Sequence, residues 1–169
     1  MKKKILLAFV LAAILATGTA FADHPSGFGI GIQGGGSGNW NGGGFGGSNA
    51  ALSLKLPSVP IFWAIRLDIW DNYFGLGVSG DTYFIDSKLV PQIGLNWYLG
   101  FGIGVGCWGW NDTLGLGVSA RLPIGLSWQP VPLLEIFLQI VPNLGVQILD
   151  KFRFPYGGWG GDLGIRLWF

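Results

Sequence analysis

Leu95-Asn96-Trp97-Tyr98-Leu99-Gly100-Phe101-Gly102-Ile103-Gly104-Val105 is the stretch on which the fold turns. It lies inside Leu89 to Asn111, 23 residues without a charge. That is long enough for a transmembrane helix, which needs about 20 consecutive apolar residues. The interior argues otherwise. Pro91 and six glycines (94, 100, 102, 104, 106 and 109) interrupt it. Leu95, Trp97, Leu99, Phe101, Ile103 and Val105 fall on one parity, and Gly94, Asn96, Tyr98, Gly100, Gly102 and Gly104 on the other. A period of two belongs to a strand, whose successive side chains point to opposite faces.

The same alternation recurs on both sides of this segment. It runs through Phe28–Gln33, Leu52–Leu56, Ile61–Ile69, Phe74–Tyr83, Leu114–Leu122, Leu134–Ile140 and Leu163–Phe169, making eight segments with the first. Pro57-Ser58-Val59-Pro60 and Gln129-Pro130-Val131-Pro132 separate strands, because proline cannot donate to a sheet ladder. A third short turn is expected over Asp86–Pro91. Longer connections are expected over Gly34–Ser48, Asp71–Tyr73, Cys107–Thr113 and Asp150–Gly160.

Composition narrows the setting. The chain has 169 residues and 31 glycines; 50% of residues are hydrophobic, 15% aromatic and 11% charged. An ordinary soluble domain carries roughly 25% charged residues. Such an aromatic content argues against disorder, and the absence of a basic patch argues against nucleic acid as a partner. One cysteine, Cys107, excludes an internal disulfide framework. At the start, Lys2-Lys3-Lys4, the apolar run Ile5–Leu15 and Ala20-Phe21-Ala22 read as a signal peptide over residues 1–22 with cleavage after Ala22. Without it the net charge falls from +1 to −2, because three of the ten basic residues leave. The rest, 23–169, is expected to form one domain.

Eight alternating segments in an exported, charge-poor chain point to an all-β fold, an eight-stranded antiparallel up-and-down transmembrane β-barrel. Closure is compulsory in lipid, since an open edge would leave backbone groups unpaired. At about 10 residues per tilted strand, eight strands consume roughly 80 residues and leave enough for the connections. Short turns alternating with longer loops put both termini at one end. Gly75-Leu76-Gly77-Val78-Ser79-Gly80 nearly repeats as Gly115-Leu116-Gly117-Val118-Ser119-Ala120 in the fourth and sixth segments, which run the same way.

An eight-stranded barrel is only wide enough inside for side chains to fill it. The inward parity carries Lys55, Arg66, Arg121 and Arg166 against Asp68, Asp81, Glu135 and Asp162, a balanced set expected to pair across the lumen. Tyr83, Tyr98, Phe137 and Trp168 share that parity and would lie over the inward glycines. The four carboxylates could instead supply an acid/base pair. Aromatic girdles are expected at the two membrane interfaces: Trp70, Tyr73, Trp108, Trp110, Tyr156 and Trp159 at one, and Phe28, Trp63, Phe84, Trp128 and Phe169 at the other. Trp40, Phe45, Tyr156 and Trp159 are candidate loop contacts for a partner. Three matches to G-x-G-x-x-G, starting at Gly29, Gly75 and Gly104, precede no helical pattern and carry no dinucleotide site. The only histidine, His24, sits beside the expected mature N-terminus, leaving no histidine for catalysis or a metal at the opposite mouth.

The last strand, Asp162-Leu163-Gly164-Ile165-Arg166-Leu167-Trp168-Phe169, resembles the assembly signal of Gram-negative outer-membrane proteins. That signal has a polar residue, a glycine two on, and alternating hydrophobes up to a terminal aromatic; Asp162, Gly164, Leu167 and Phe169 match it. The whole mature chain is similar to the small OmpA/OmpX/OmpW-type barrels, and Ala120–Gly145 resembles small outer-membrane barrels of spirochaetes. The resemblance implies recognition by the barrel-assembly machinery and an outer-membrane address in a diderm bacterium, with outer-membrane lipid around the chain. It supplies no catalytic residue and no cofactor. The expected role is non-enzymatic, structural or surface-interacting with an extracellular protein. A narrow channel or carrier for a small apolar ligand is the alternative, and a soluble glycine-rich secreted protein the third reading.

Overall fold

The structure, a computed structural model, describes residues 24–40, 47–70, 73–110, 113–148 and 151–169. The expected signal peptide, residues 1–22, and the candidate contact Phe45 lie outside the described residues. Among the described residues nine strands follow one another: β1 (Gly29–Asn39), β2 (Gly47–Lys55), β3 (Phe62–Trp70), β4 (Tyr73–Val90), β5 (Leu95–Trp110), β6 (Thr113–Arg121), β7 (Ile124–Val131), β8 (Leu134–Ile148) and β9 (Phe152–Trp168). A 3₁₀ turn, Pro91–Ile93, separates β4 from β5. Among the described residues no helix is long and apolar enough to cross a membrane.

All nine strands belong to one antiparallel sheet in the order β4-β3-β2-β1-β9-β8-β6-β5-β7, with β4 also paired to β5 and β7 to β8. Each strand therefore has partners along both edges. β1 and β9 register at Gly29↔Trp168, so the first and last strands meet at one end, which also carries the turns at 56–61, 91–94 and 132–133. At the opposite end β1 stops at Asn39 and β2 starts at Gly47, β3 stops at Trp70 and β4 starts at Tyr73, β5 stops at Trp110 and β6 starts at Thr113, and β8 stops at Ile148 and β9 starts at Phe152. These are called the terminus end and the loop end.

The count of nine departs from the expected eight at one place. β6 and β7 lie end to end between the same neighbours: β5 reaches both through Gly102↔Arg121 and Leu99↔Ile124, and β8 through Arg121↔Asn143 and Ile124↔Ile140. Between them stands Leu122-Pro123. Pro123 has no N–H for the ladder, although its carbonyl accepts from Gly100 N–H at 2.8 Å and Leu122 N–H donates to Pro142 at 2.9 Å. The sixth segment continues past its proline as a separate strand.

The connections are shorter than expected. β1 continues to Asn39 and β9 begins at Phe152, so much of Gly34–Ser48 and Asp150–Gly160 is paired strand. Tyr156 and Trp159 stand in β9 opposite Gly145 and Pro142, and not in a loop. Residues 86–90, expected as a turn, are the end of β4, and the turn falls on Pro91–Ile93. Glycines and aromatics on both parities hide the alternation there, while backbone hydrogen bonds still hold the ladder.

The two faces invert the usual distribution. Buried side chains include Lys55, Asp81, Asp86, Arg121, Glu135, Asp162 and Arg166. Exposed ones include Ile32 at 69%, Leu163 at 59% and Leu114 at 68%. Buried ionised groups are rare in a protein interior unless paired, and contiguous exposed apolar surface marks a membrane or partner face.

Candidate functional site

The inner face holds two polar clusters. The first lies at the terminus end around His24, which precedes β1 and is 7% exposed. Its Nδ1 lies 2.6 Å from Asp86 Oδ2 and its Nε2 2.9 Å from Glu135 Oε1. The His24 backbone N–H donates to the same Asp86 oxygen at 2.9 Å. A neutral imidazole has only one ring N–H. With a carboxylate at each nitrogen, His24 is an imidazolium donating to both. Burial alone would lower its pKa from 6.5, but Glu135 and Asp86 outweigh burial and raise it to about 9.

Glu135, in β8 and 0% exposed, accepts from three further groups. Ser127 Oγ donates to Oε1 at 2.9 Å, and Arg166 Nη1 and Trp168 Nε1 donate to Oε2 at 2.7 and 2.8 Å. Arg166 also donates to Ser53 Oγ from Nε at 3.3 Å and from Nη2 at 2.9 Å. Its guanidinium lies 4.8 Å from the Phe62 ring centroid and 4.7 Å from that of Phe137. Charge pairing with full hydrogen-bonding is what lets such groups leave water.

Aromatic rings pack around this cluster. Phe62 stacks on Tyr83 at 4.2 Å and Tyr83 on Tyr98 at 4.3 Å, with the His24 ring 5.2 Å from Phe62. Two glycines are required by close approach: a Cβ at Gly125 would overlap the Tyr98 ring, and one at Gly164 the Phe137 ring. Together these groups pack against one another at the terminus end.

The second cluster lies further toward the loop end. Arg121 donates to Asp81 through Nε at 3.0 Å and Nη2 at 3.2 Å. Tyr98 donates to Gln139 at 3.1 Å, Gln139 to Asp162 at 3.0 Å, and Arg66 Nη2 stands 3.5 Å from Asp162 Oδ2. Of the eight charges read as inward, Arg66 and Asp68 are half-buried and the other six buried. Among the described residues Lys55 takes no carboxylate: its Nζ donates to the Leu56 carbonyl at 2.9 Å and lies 5.7 Å from the Phe62 centroid. His24, Asp86, Ser53 and Ser127 complete the first cluster, although sequence alone placed none of them there.

Beyond the second cluster, toward the loop end, is a cavity of about 170 Å³. Trp108, expected in an interfacial girdle, lines it and lies against Gly117 on the inner side. Trp40 projects from the loop end, more than half exposed, with its indole N–H donating to the Asn143 carbonyl at 3.1 Å. Of the assembly-signal residues, Asp162 and Gly164 face inward, and Leu167 and Phe169 are exposed. Phe169 closes the β1–β9 seam through backbone hydrogen bonds with Phe28 at 2.8 and 2.9 Å.

Most of the groups that could serve as acid or base are already engaged. Both His24 nitrogens are occupied, the Ser127 hydroxyl donates to a carboxylate and not to a base, and Asp81, Glu135 and Asp162 are each engaged by an arginine. Among the described residues, no group of three or more His, Cys, Asp or Glu stands where it would hold a metal ion. Cys107 is a free, half-buried thiol.

No protein-family model matches the chain, and no curated protein matches it. Solved structures do. Neisserial surface protein A (NspA) aligns with a TM-score of 0.59 at 13% identity, over 84% of this chain and 96% of that one. The N-terminal β-barrel domain of Pseudomonas aeruginosa OprF aligns with a TM-score of 0.56 at 16% identity, over 83% and 97%. At these identities the likeness shows the fold: a small, almost all-β antiparallel sheet resembling β-barrel proteins. The chain is similar to NspA and to the OprF domain in architecture.

Proposed function

We propose that the sheet closes on itself as an eight-stranded barrel, with β6 and β7 as two halves of one stave, and that the barrel spans the outer membrane of a diderm bacterium. The inverted polarity carries this reading: paired charges line the enclosed face and aliphatic side chains the outer one. Both edges of every strand are paired, as lipid demands. Residues 1–22 act as a signal peptide, 23–169 form the barrel, and Asp162, Gly164, Leu167 and Phe169 present the last strand to the barrel-assembly machinery.

In this reading the protein is non-enzymatic, plugged at the terminus end by the His24–Glu135–Arg166 cluster, and acts through the loop end as a structural or surface-interaction protein. Trp40 and its neighbours are the candidate contacts there. Planar-bilayer recording with the purified, refolded protein tests it. Heat-modifiable migration on gels with no reproducible conductance steps is the expected result. Discrete steps from the wild-type protein favour the channel reading, and solubility without detergent removes the barrel altogether.

A further inference from the structure

The repeat at Gly75–Gly80 and Gly115–Ala120 acquires a physical meaning in the sheet. The two copies stand on either side of β5, whose own Gly102-Ile103-Gly104-Val105-Gly106 completes the pattern. Registers align as Gly77↔Gly106↔Gly117 and Ser79↔Gly104↔Ser119. Three neighbouring strands thus turn hydrogen and hydroxymethyl groups toward the interior, and the cavity of about 170 Å³ lies against them. A cavity of about 150 Å³ is enough to hold benzene.

Two charged groups that line this cavity are incompletely satisfied. Arg66 makes one long contact to Asp162 through Nη2, at 3.5 Å, and its buried Nε has no partner among the described residues. Asp68 makes no hydrogen bond and no ion pair within 4.0 Å among the described residues. Both stand on the same face of β3, two residues apart. Arg121, the third charged group in the lining, is already bound to Asp81 by two hydrogen bonds. Trp108 and Tyr156 add aromatic surface.

We infer that this cavity is a binding site for a small zwitterion of the amino-acid class. The carboxylate of the ligand accepts from Arg66, its ammonium donates to Asp68, and a short apolar body lies against the glycine wall and Trp108. A lone cation would leave the Arg66 N–H unpaired, and a lone anion the Asp68 carboxylate. A zwitterion satisfies both and leaves the charge of the barrel interior unchanged. The inference rests on the closed barrel proposed above.

The test is calorimetric titration of the refolded barrel in detergent with leucine, leucinamide and N-acetyl-leucine, which share a side chain and differ in charge. Leucine is expected to bind, and the other two at least about tenfold more weakly, as loss of one charge-assisted hydrogen bond implies. Asp68→Asn should weaken leucine by a similar factor. Gly77→Leu should abolish binding by filling the space, since a Cβ there meets Val105 O at 3.5 Å, an ordinary contact. Heat-modifiable migration reports folding of each variant separately, so loss of the barrel is distinguished from loss of the site. Equal binding of the three probes, no heat with leucine, or unchanged leucine binding in folded Gly77→Leu overturns the inference.

Discussion

Replacing His24 with alanine removes the one cation that two buried carboxylates share. Among the described residues, the inner face carries Lys55, Arg66, Arg121, Arg166 and the His24 imidazolium against Asp68, Asp81, Asp86, Glu135 and Asp162. Without His24 a negative charge is left over. Glu135 keeps Arg166, Trp168 and Ser127, whereas among the described residues Asp86 keeps the residue-24 backbone N–H. The loss therefore concentrates on Asp86. Breaking a buried pair by removing one partner costs about 3–5 kcal/mol. An independent route gives a similar size: raising the His24 pKa from 6.5 to about 9 corresponds to roughly 3 kcal/mol at about 1.36 kcal/mol per pH unit. The sign follows from linkage. A group with a raised folded pKa contributes fully below 6.5 and loses that contribution as pH rises to about 9. Urea unfolding of wild type and His24→Ala in detergent, followed by tryptophan fluorescence, should show a gap of about 3 kcal/mol at pH 6 that closes by pH 10. A gap that is absent at pH 6, or constant across the range, would refute the imidazolium bridge.

Other perturbations rank the remaining contacts. Arg166→Gln should lower stability by about 3–5 kcal/mol, because it strips a buried carboxylate, whereas Arg66→Gln, at a partly exposed and longer pair, should cost about 1 kcal/mol or less; equal unfolding midpoints would contradict the assigned geometry. Gly125→Ala forces a methyl into the Tyr98 ring and should cost about 1–3 kcal/mol, measured in the same assay. Deleting Phe169 removes its backbone bonds to Phe28 and should leave the chain unassembled, so a heat-modifiable barrel in the membrane fraction would count against the C-terminal signal. Edman sequencing of the exported protein should begin at Asp23.

What the sequence discloses depends on how each strand marks its two faces. Leu95–Val105 is legible because Asn96, Tyr98 and the glycines differ in kind from the aliphatic residues between them. Gly34–Asn39 pairs as firmly but consists mainly of glycine, so neither face carries a label. The cluster at the terminus end is hidden for a different reason. β4 shifts register between Tyr83 and Ile85. Inward positions therefore pass from Asp81 and Tyr83 to Asp86, which strict alternation would have turned outward. A bulge re-aims side chains in this way, and nothing in Tyr83-Phe84-Ile85 announces it. His24 belongs to no strand, so periodicity never reaches it. The signal available was chemical: among the described residues, adding Asp86 to the inward acids leaves them in excess until the lone histidine is counted as a cation.

The two carboxylates that hold His24 lie 62 and 111 residues further along the chain. Contacts so far apart in sequence carry a high loop-closure cost until the intervening segments have paired. The imidazolium thus acts as a keystone. In the proposed barrel it has a socket only once β4 and β8 stand on opposite flanks of the β1–β9 seam, and sealing of that end is expected late in assembly. A chain whose seam has not closed retains a loose N-terminal segment and a wet terminus end, and resistance of that segment to protease would report completion of the barrel.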